Sequence, residues 1–135
     1  LADELKRKGE DISFISRAHP GNMSDVISER GYKVFLLPAS TNAYQARKSD
    51  VIHAPWLGSP WEKDAEETGR AIGTSIPDWL IVDHYGIDAR WHKVLRDKVG
   101  QIMVIDDLAD RPLDCEFLLD QTNGREDNDY RPWVP

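Results

Sequence analysis

Trp79-Leu-Ile-Val-Asp-His-Tyr-Gly-Ile-Asp88 is the stretch whose reading decides the fold. Four consecutive apolar residues, 79–82, read as a strand buried on both faces, as central parallel strands are. The run stops in Asp83, His84 and Tyr85, three side chains able to bond or exchange protons. Gly86 supplies a sharp turn and Asp88 is placed to cap the helix that follows. In that helix Trp91, Val94, Leu95 and Val99 share one face, and Arg90, Lys93 and Asp97 are left for solvent. A second apolar strand, 102–105, comes next and ends in Asp106 and Asp107. Strand, helix and strand make a βαβ unit whose two strand ends point the same way. Ligands of open α/β sheets bind beyond those carboxyl ends.

Upstream of this unit, Ser59 is expected as an N-cap, with Pro60 at the first helical position and Glu62 completing a capping box. That helix runs to Ile72, turns Trp61, Ala65 and Ile72 inward and stops at Gly73. Asp64 reads as a first-turn carboxylate that suits the helix dipole. The connection 38–59 is long beside the usual about 4–6 residues. It is expected to hold a short helix over 43–48, and Trp56 and Trp61 are read as packing back on the domain. Further upstream come a helix ended by Gly9, a strand over 11–16, a helix burying Met23, Val26 and Ile27 before Gly31, and a buried strand over 33–37. Downstream, a loop over 108–114 leads to a last strand, 116–119, and its exit, 120–124. Five strands interleaved with helices give a Rossmann-like α/β domain over 1–135, a mostly parallel sheet with flanking helices.

The 17 basic and 24 acidic side chains leave a net charge of −7, which argues against nucleic-acid or membrane-surface partners. The one cysteine, Cys115, cannot form an internal disulfide and suits a reducing cytoplasm. No apolar run reaches the length of a membrane span. Both ends are abrupt, so the chain reads as a piece of a larger α/β protein.

Asp83, His84 and Tyr85 are the catalytic candidates. Side chains alternate along a strand, so all three cannot face one point, but two can where the strand turns. Arg17, Asp106, Asp107 and Asn123 stand at the other strand exits and are the substrate-binding candidates. Their structural alternatives are plain: acids after a strand cap turns, Asn123-Gly124 is itself a turn signal, and His19 reads as a surface histidine. Phosphate-cradling glycine signatures and the G-x-S-x-G elbow are both missing. No ligand spacing marks a metal site, and no cofactor is implied.

Leu80-Ile-Val-Asp-His-Tyr-Gly-Ile87, Ile102-Met-Val-Ile-Asp-Asp107 and Leu118-Leu-Asp-Gln-Thr-Asn123 resemble a family of UDP-sugar hydrolases of pseudaminic acid biosynthesis. Its members act on UDP-2,4-diacetamido-2,4,6-trideoxy-β-L-altropyranose. The opening Leu1-Ala-Asp-Glu-Leu5 and the Trp56-Leu-Gly58 and Trp61-Glu-Lys-Asp-Ala65 segments are similar too. Related sugar-nucleotide and spore-coat polysaccharide proteins share the pattern. The resemblance implies the N-terminal half of a glycosyltransferase-B-like architecture, with a C-terminal nucleotide-binding domain outside these residues. It implies attack of water at the anomeric carbon with inversion, releasing UDP and free sugar. It puts Tyr85 in the active site with Asp83 and His84 beside it. It assigns the main base to a histidine in a glycine-rich loop that would precede Leu1.

Two other readings stand beside this one. A glycosyltransferase of the same architecture would bind an acceptor hydroxyl in place of water. A flavodoxin-like binding or receiver module would share the acidic strand ends, yet no lysine follows Lys98, where a receiver needs one. Without the first strand that the resemblance implies, the sheet would keep open edges through which the chain is expected to dimerise.

Overall fold

The structure, a computed structural model, describes residues 1–40 and 44–135. Two compact units make up the chain, Leu1–Thr41 and Asn42–Pro135. The five expected strands are all present and all pair in parallel, but in two sheets of two and three strands. A mixed α/β chain of parallel sheets with flanking helices is consistent with the Rossmann-like class.

The first unit runs α1 (Ala2–Arg7), β1 (Ser13–Arg17), α2 (Ser24–Glu29) and β2 (Lys33–Leu37). β1 and β2 pair from Ser13 opposite Lys33 to Arg17 opposite Leu37. Tyr32 packs edge-on against Phe14 at 5.2 Å and donates its hydroxyl to Asp3 at 2.5 Å, which fastens α1 to the start of β2. The inward face expected of α2 is thin, since Met23 and Val26 are exposed and Ile27 only half-buried. β2 is not buried throughout either: Leu36 is exposed while Leu37 is covered.

The second unit holds α3 (Ala54–Leu57), α4 (Trp61–Ile72), β3 (Trp79–Val82), α5 (Ala89–Leu95), β4 (Gln101–Ile105), β5 (Phe117–Leu119) and α6 (Asp127–Tyr130). The strand order is β3-β4-β5. Its core gathers Leu57, Ala65, Val82, Trp91, Leu95, Ile102 and Val104. β3 departs from the expectation of burial on both faces. Val82 is buried, but Trp79 is 43% and Ile81 37% exposed, and Phe117 of β5 meets Trp79 edge-on at 5.4 Å on that open face. An apolar run alone does not reveal whether both faces of a strand have neighbours.

Three local expectations change. In α5 the inward residues are Trp91, His92 and Leu95, with Val99 beyond; Val94 is 48% exposed. The helix gives way to a 3-10 turn at Arg96–Lys98, and the stripe that reaches the core runs through 88, 91, 92 and 95, the i, i+3, i+4, i+7 spacing. At α4 the cap position belongs to Pro60, one residue later than expected, and its carbonyl accepts from the amide of Asp64 at 3.0 Å. Ser59 is thereby too far out to form the capping box, and Glu62 pairs with Arg47 at 2.9 Å instead. Residues 44–47 of the expected short helix are not helical; Ala43 lies outside the described residues. Asp50 organises this stretch by accepting from Tyr44 and from the Arg47 amide and guanidinium.

Asp88 caps α5 as its position implies, accepting from the Arg90 amide at 2.9 Å. Among the described residues no helix is long and apolar enough to cross a membrane.

Candidate active site

Parallel pairing of Val82 with Val104 brings the exits of β3 and β4 side by side. Asp83 follows β3 and is exposed, while His84 and Tyr85 are half-buried where the chain turns. Tyr85 donates its phenol to Asp107 Oδ1 at 2.7 Å, across to the exit of β4. This bond to a carboxylate, helped by partial desolvation, raises the phenol above its ordinary pKa. Tyr85 is therefore a protonated phenol at neutral pH, with its hydrogen committed and its oxygen able to accept.

His84 points the other way chemically. Its Nδ1 accepts from the Gly86 amide at 2.9 Å, so in the neutral ring the proton resides on Nε2. Gly86 itself is required by close approach. A Cβ there would meet the His53 carbonyl at 2.9 Å and the His84 ring at 3.0 Å, so the segment before α3 is seated directly on this turn.

The two neighbouring acids after β4 part company. Asp107 is exposed. Asp106 is 2% exposed and lies 2.7 Å from the Arg111 guanidinium. Its Oδ2 accepts from the amides of Leu108 and Ala109, and Tyr130 donates to it at 3.1 Å. Arg111 in turn bonds the Ile87 carbonyl at 2.8 Å. Asp106, a substrate-binding candidate in the sequence, is thus committed to holding the loop after β4. The alternation of side chains at the end of a strand sends one acid inward and its neighbour outward.

Asn123 is exposed in the turn after β5. Asp120 at that exit is held down at about 2: partial desolvation opposes this, but hydrogen bonds from Thr122, Tyr130 and Arg125 outweigh it. Arg125 also donates to the Asp107 carbonyl at 2.5 Å, which ties the exits of β4 and β5 together. Arg17, the remaining candidate, belongs to the first unit. It is 7% exposed at the end of β1 and donates to the Pro38 carbonyl at 2.8 Å.

Two residues join the site that the sequence reading did not place there: Trp56, read as packing, and His53. Trp56 is 59% exposed. Its indole lies 4.6 Å from the His53 ring, and both rings are 6.0 Å from Tyr85. The signal was a histidine and a tryptophan three residues apart in a long connection, but only tertiary packing brings them to the β3 exit. His53, Trp56, Tyr85, Asp107 and Asp83 form a rim of rings and acceptors at the carboxyl end of the three-stranded sheet. Among the described residues no group of three or more His, Cys, Asp or Glu side chains is disposed to hold a metal ion. No family model matches the chain, and neither a curated protein nor a solved structure matches it.

Proposed function

We propose that this chain carries the sugar-side part of a UDP-sugar hydrolase of glycosyltransferase-B-like architecture, a cytoplasmic enzyme of pseudaminic acid or related surface-polysaccharide biosynthesis. The observation that supports this best is the Tyr85–Asp107 bond beside exposed aromatic rings at the joined exits of β3 and β4. The motif resemblance suggests the reaction, and the geometry is the basis for the roles proposed below. Water forms a bond to the anomeric carbon from the face opposite UDP. The bond from that carbon to the UDP oxygen breaks, its electron pair stays on UDP, and the proton of the attacking water passes to a base.

Tyr85, with its hydrogen given to Asp107, accepts a hydrogen bond from the water or from a sugar hydroxyl and so positions it. His84, with Nδ1 accepting from the Gly86 amide, holds the turn that presents Tyr85, and its Nδ1 is thereby not offered as the base. That leaves the base to the histidine loop the resemblance implies. Asp83 and Asp107 accept from sugar hydroxyl or acetamido groups. The nucleotide-sugar is the sole small-molecule partner in this reading, with no cofactor.

The test is to give the full-length protein the UDP-sugar in water labelled with ¹⁸O, with and without candidate acceptor sugars. Hydrolysis predicts equal amounts of UDP and free sugar without any acceptor, and label on the anomeric oxygen. UDP release that requires an acceptor would make the protein a transferase instead. A UDP-sugar left intact by folded protein, with and without acceptor, would remove the reading altogether.

A further inference from the structure

We infer that the indole of Trp56 is a stacking platform for the pyranose ring of the ligand, with His53 as the residue that positions it. The kind of sugar rests on the hydrolase reading above; the platform rests on the following geometry.

α3 has only four residues, and two of them, Ala54 and Leu57, are buried. The helix is therefore anchored by its apolar side, Gly58 reverses the chain at φ 68°, and Trp56 is turned outward. Exposing most of an indole forgoes burial that a tryptophan elsewhere in the unit obtains, since Trp91 is 3% exposed. Yet Trp56 is not loose. Its ring contacts His53 at 4.6 Å and Tyr85 at 6.0 Å, tilted by 43° and 55°. The His53 carbonyl is seated against Gly86, so the ring triad is registered on the β3 exit. A held aromatic ring with an open face orders little more when a ligand arrives, which is the condition for a low-cost contact.

The polar rim decides which flat ligand fits. Asp83 and Asp107 are exposed carboxylates, and the Tyr85 oxygen has its hydrogen committed to Asp107. All three offer acceptors. A pyranose bearing hydroxyl and acetamido groups presents donors around its ring, and its axial C–H groups meet the indole face. Uracil presents one N–H and two carbonyl oxygens, and the carbonyls would be set against carboxylates. A diphosphate would meet the exposed Asp83 and Asp107 carboxylates at this rim. Arg111 is buried and paired with Asp106 and Asp110, and Arg125 is spent on Asp120 and the Asp107 carbonyl. The rim selects the sugar.

The experiment measures affinity of the protein for three probes by saturation-transfer NMR and intrinsic fluorescence: free 2,4-diacetamido-2,4,6-trideoxyhexopyranose, N-acetylglucosamine and UDP. Wild type is compared with Trp56→Ala and Trp56→Phe, and melting temperatures are recorded for each. Trp56→Ala is expected to weaken the amino sugars about tenfold, the loss that about 1.4 kcal/mol of stacking corresponds to. It is expected to leave UDP binding and the melting temperature unchanged, and Trp56→Phe is expected to restore most of the sugar affinity. Unchanged sugar affinity in Trp56→Ala overturns the platform, as does an equal loss for UDP. Selective sugar loss in a protein that hydrolyses no UDP-sugar would keep the platform and remove the hydrolase reading. Intact hydrolysis with an unmoved KM in Trp56→Ala would do the reverse.

Discussion

Tyr85 Oη stands 2.7 Å from Asp107 Oδ1, so a side-chain bond joins the exits of β3 and β4 beyond the last rung of their backbone ladder. The bond fixes the phenol as donor to Asp107 and leaves its lone pairs outward. Removing the hydroxyl in Tyr85→Phe is expected to lower kcat/KM at least about tenfold, the scale of one positioned hydrogen bond to a charged group. The melting temperature should hardly move, because the pair is at the surface. Removing the acceptor in Asp107→Ala should bring the phenol back toward its ordinary titration near pH 10. The sign follows from the raised phenol: the bond is complete while Tyr85 is protonated and is lost as pH climbs through its folded value. Absorbance near 295 nm against pH reads this directly, and an unmoved titration in Asp107→Ala would deny the bond.

Asp106 and Asp107 should respond in opposite ways to the same substitution. Asp106→Asn breaks a pair with Arg111 in which both side chains are almost fully buried. Such a break costs about 3–5 kcal/mol, because the surviving charge is left without its partner. Asp107→Asn removes an exposed charge and should be nearly neutral for stability while reducing turnover. Denaturant midpoints and initial rates on the two variants check the division. Equal destabilisation by both would mean that the inward and outward assignments are wrong.

This division shows where the sequence is legible and where it is not. The runs 33–37, 79–82 and 102–105 are bounded by Pro38, Asp83 and Asp106, and helices lie between these three strands, so the strands and their parallel sense follow from the pattern; β5 follows β4 through a loop without a helix, and its parallel pairing does not. The β3 exit is legible for the same reason. Which of two adjacent acids turns inward depends on a partner, Arg111, whose fold position no local pattern announces. Trp56 and Tyr85 are far apart in sequence and meet only because α3 packs on the turn at Gly86. His92 in place of Val94 on the inner face of α5 is a matter of helix phase, and a one-residue rotation changes it. The open face of β3 is invisible to hydropathy, which reports apolar character but not the presence of a neighbour.

Gly86→Ala tests the seating of α3 on the β3 exit. The added methyl would stand 2.9 Å from the His53 carbonyl and 3.0 Å from the His84 ring. One contact is backbone, so the segment before α3 must move away. Overpacking of this kind costs about 1–3 kcal/mol. The expected result is a lower melting temperature together with a changed emission of Trp56, read against a Trp56→Phe background. Loss of stability with an unchanged Trp56 signal would show that His53 moves without its neighbour.

The pH dependence of stability should carry the mark of His92. This imidazole is fully buried, and its Nδ1 accepts from the Asp114 amide at 3.2 Å. Burial pushes its pKa down from 6.5 to about 4, with the Asp114 and Asp88 carboxylates opposing the shift and Arg111 and Arg96 adding to it. Protonation at Nδ1 would also set an N–H against the Asp114 N–H. Below pH 6.5 the unfolded chain takes up a proton that the folded chain refuses until about pH 4. Stability is therefore complete above pH 6.5 and declines through this window, by roughly 3 kcal/mol in all. The carboxylates act lower: Asp50 and Asp120, both held near 2 against an ordinary 3.8, lose their contributions below about pH 4. The two windows can be separated with His92→Asn, whose amide oxygen can still accept from Asp114. Urea midpoints from pH 7 to 4 should fall steadily in the wild type and stay nearly level in His92→Asn, whatever its absolute stability. A variant that keeps the wild-type slope would assign the decline to other groups and remove His92 from the account.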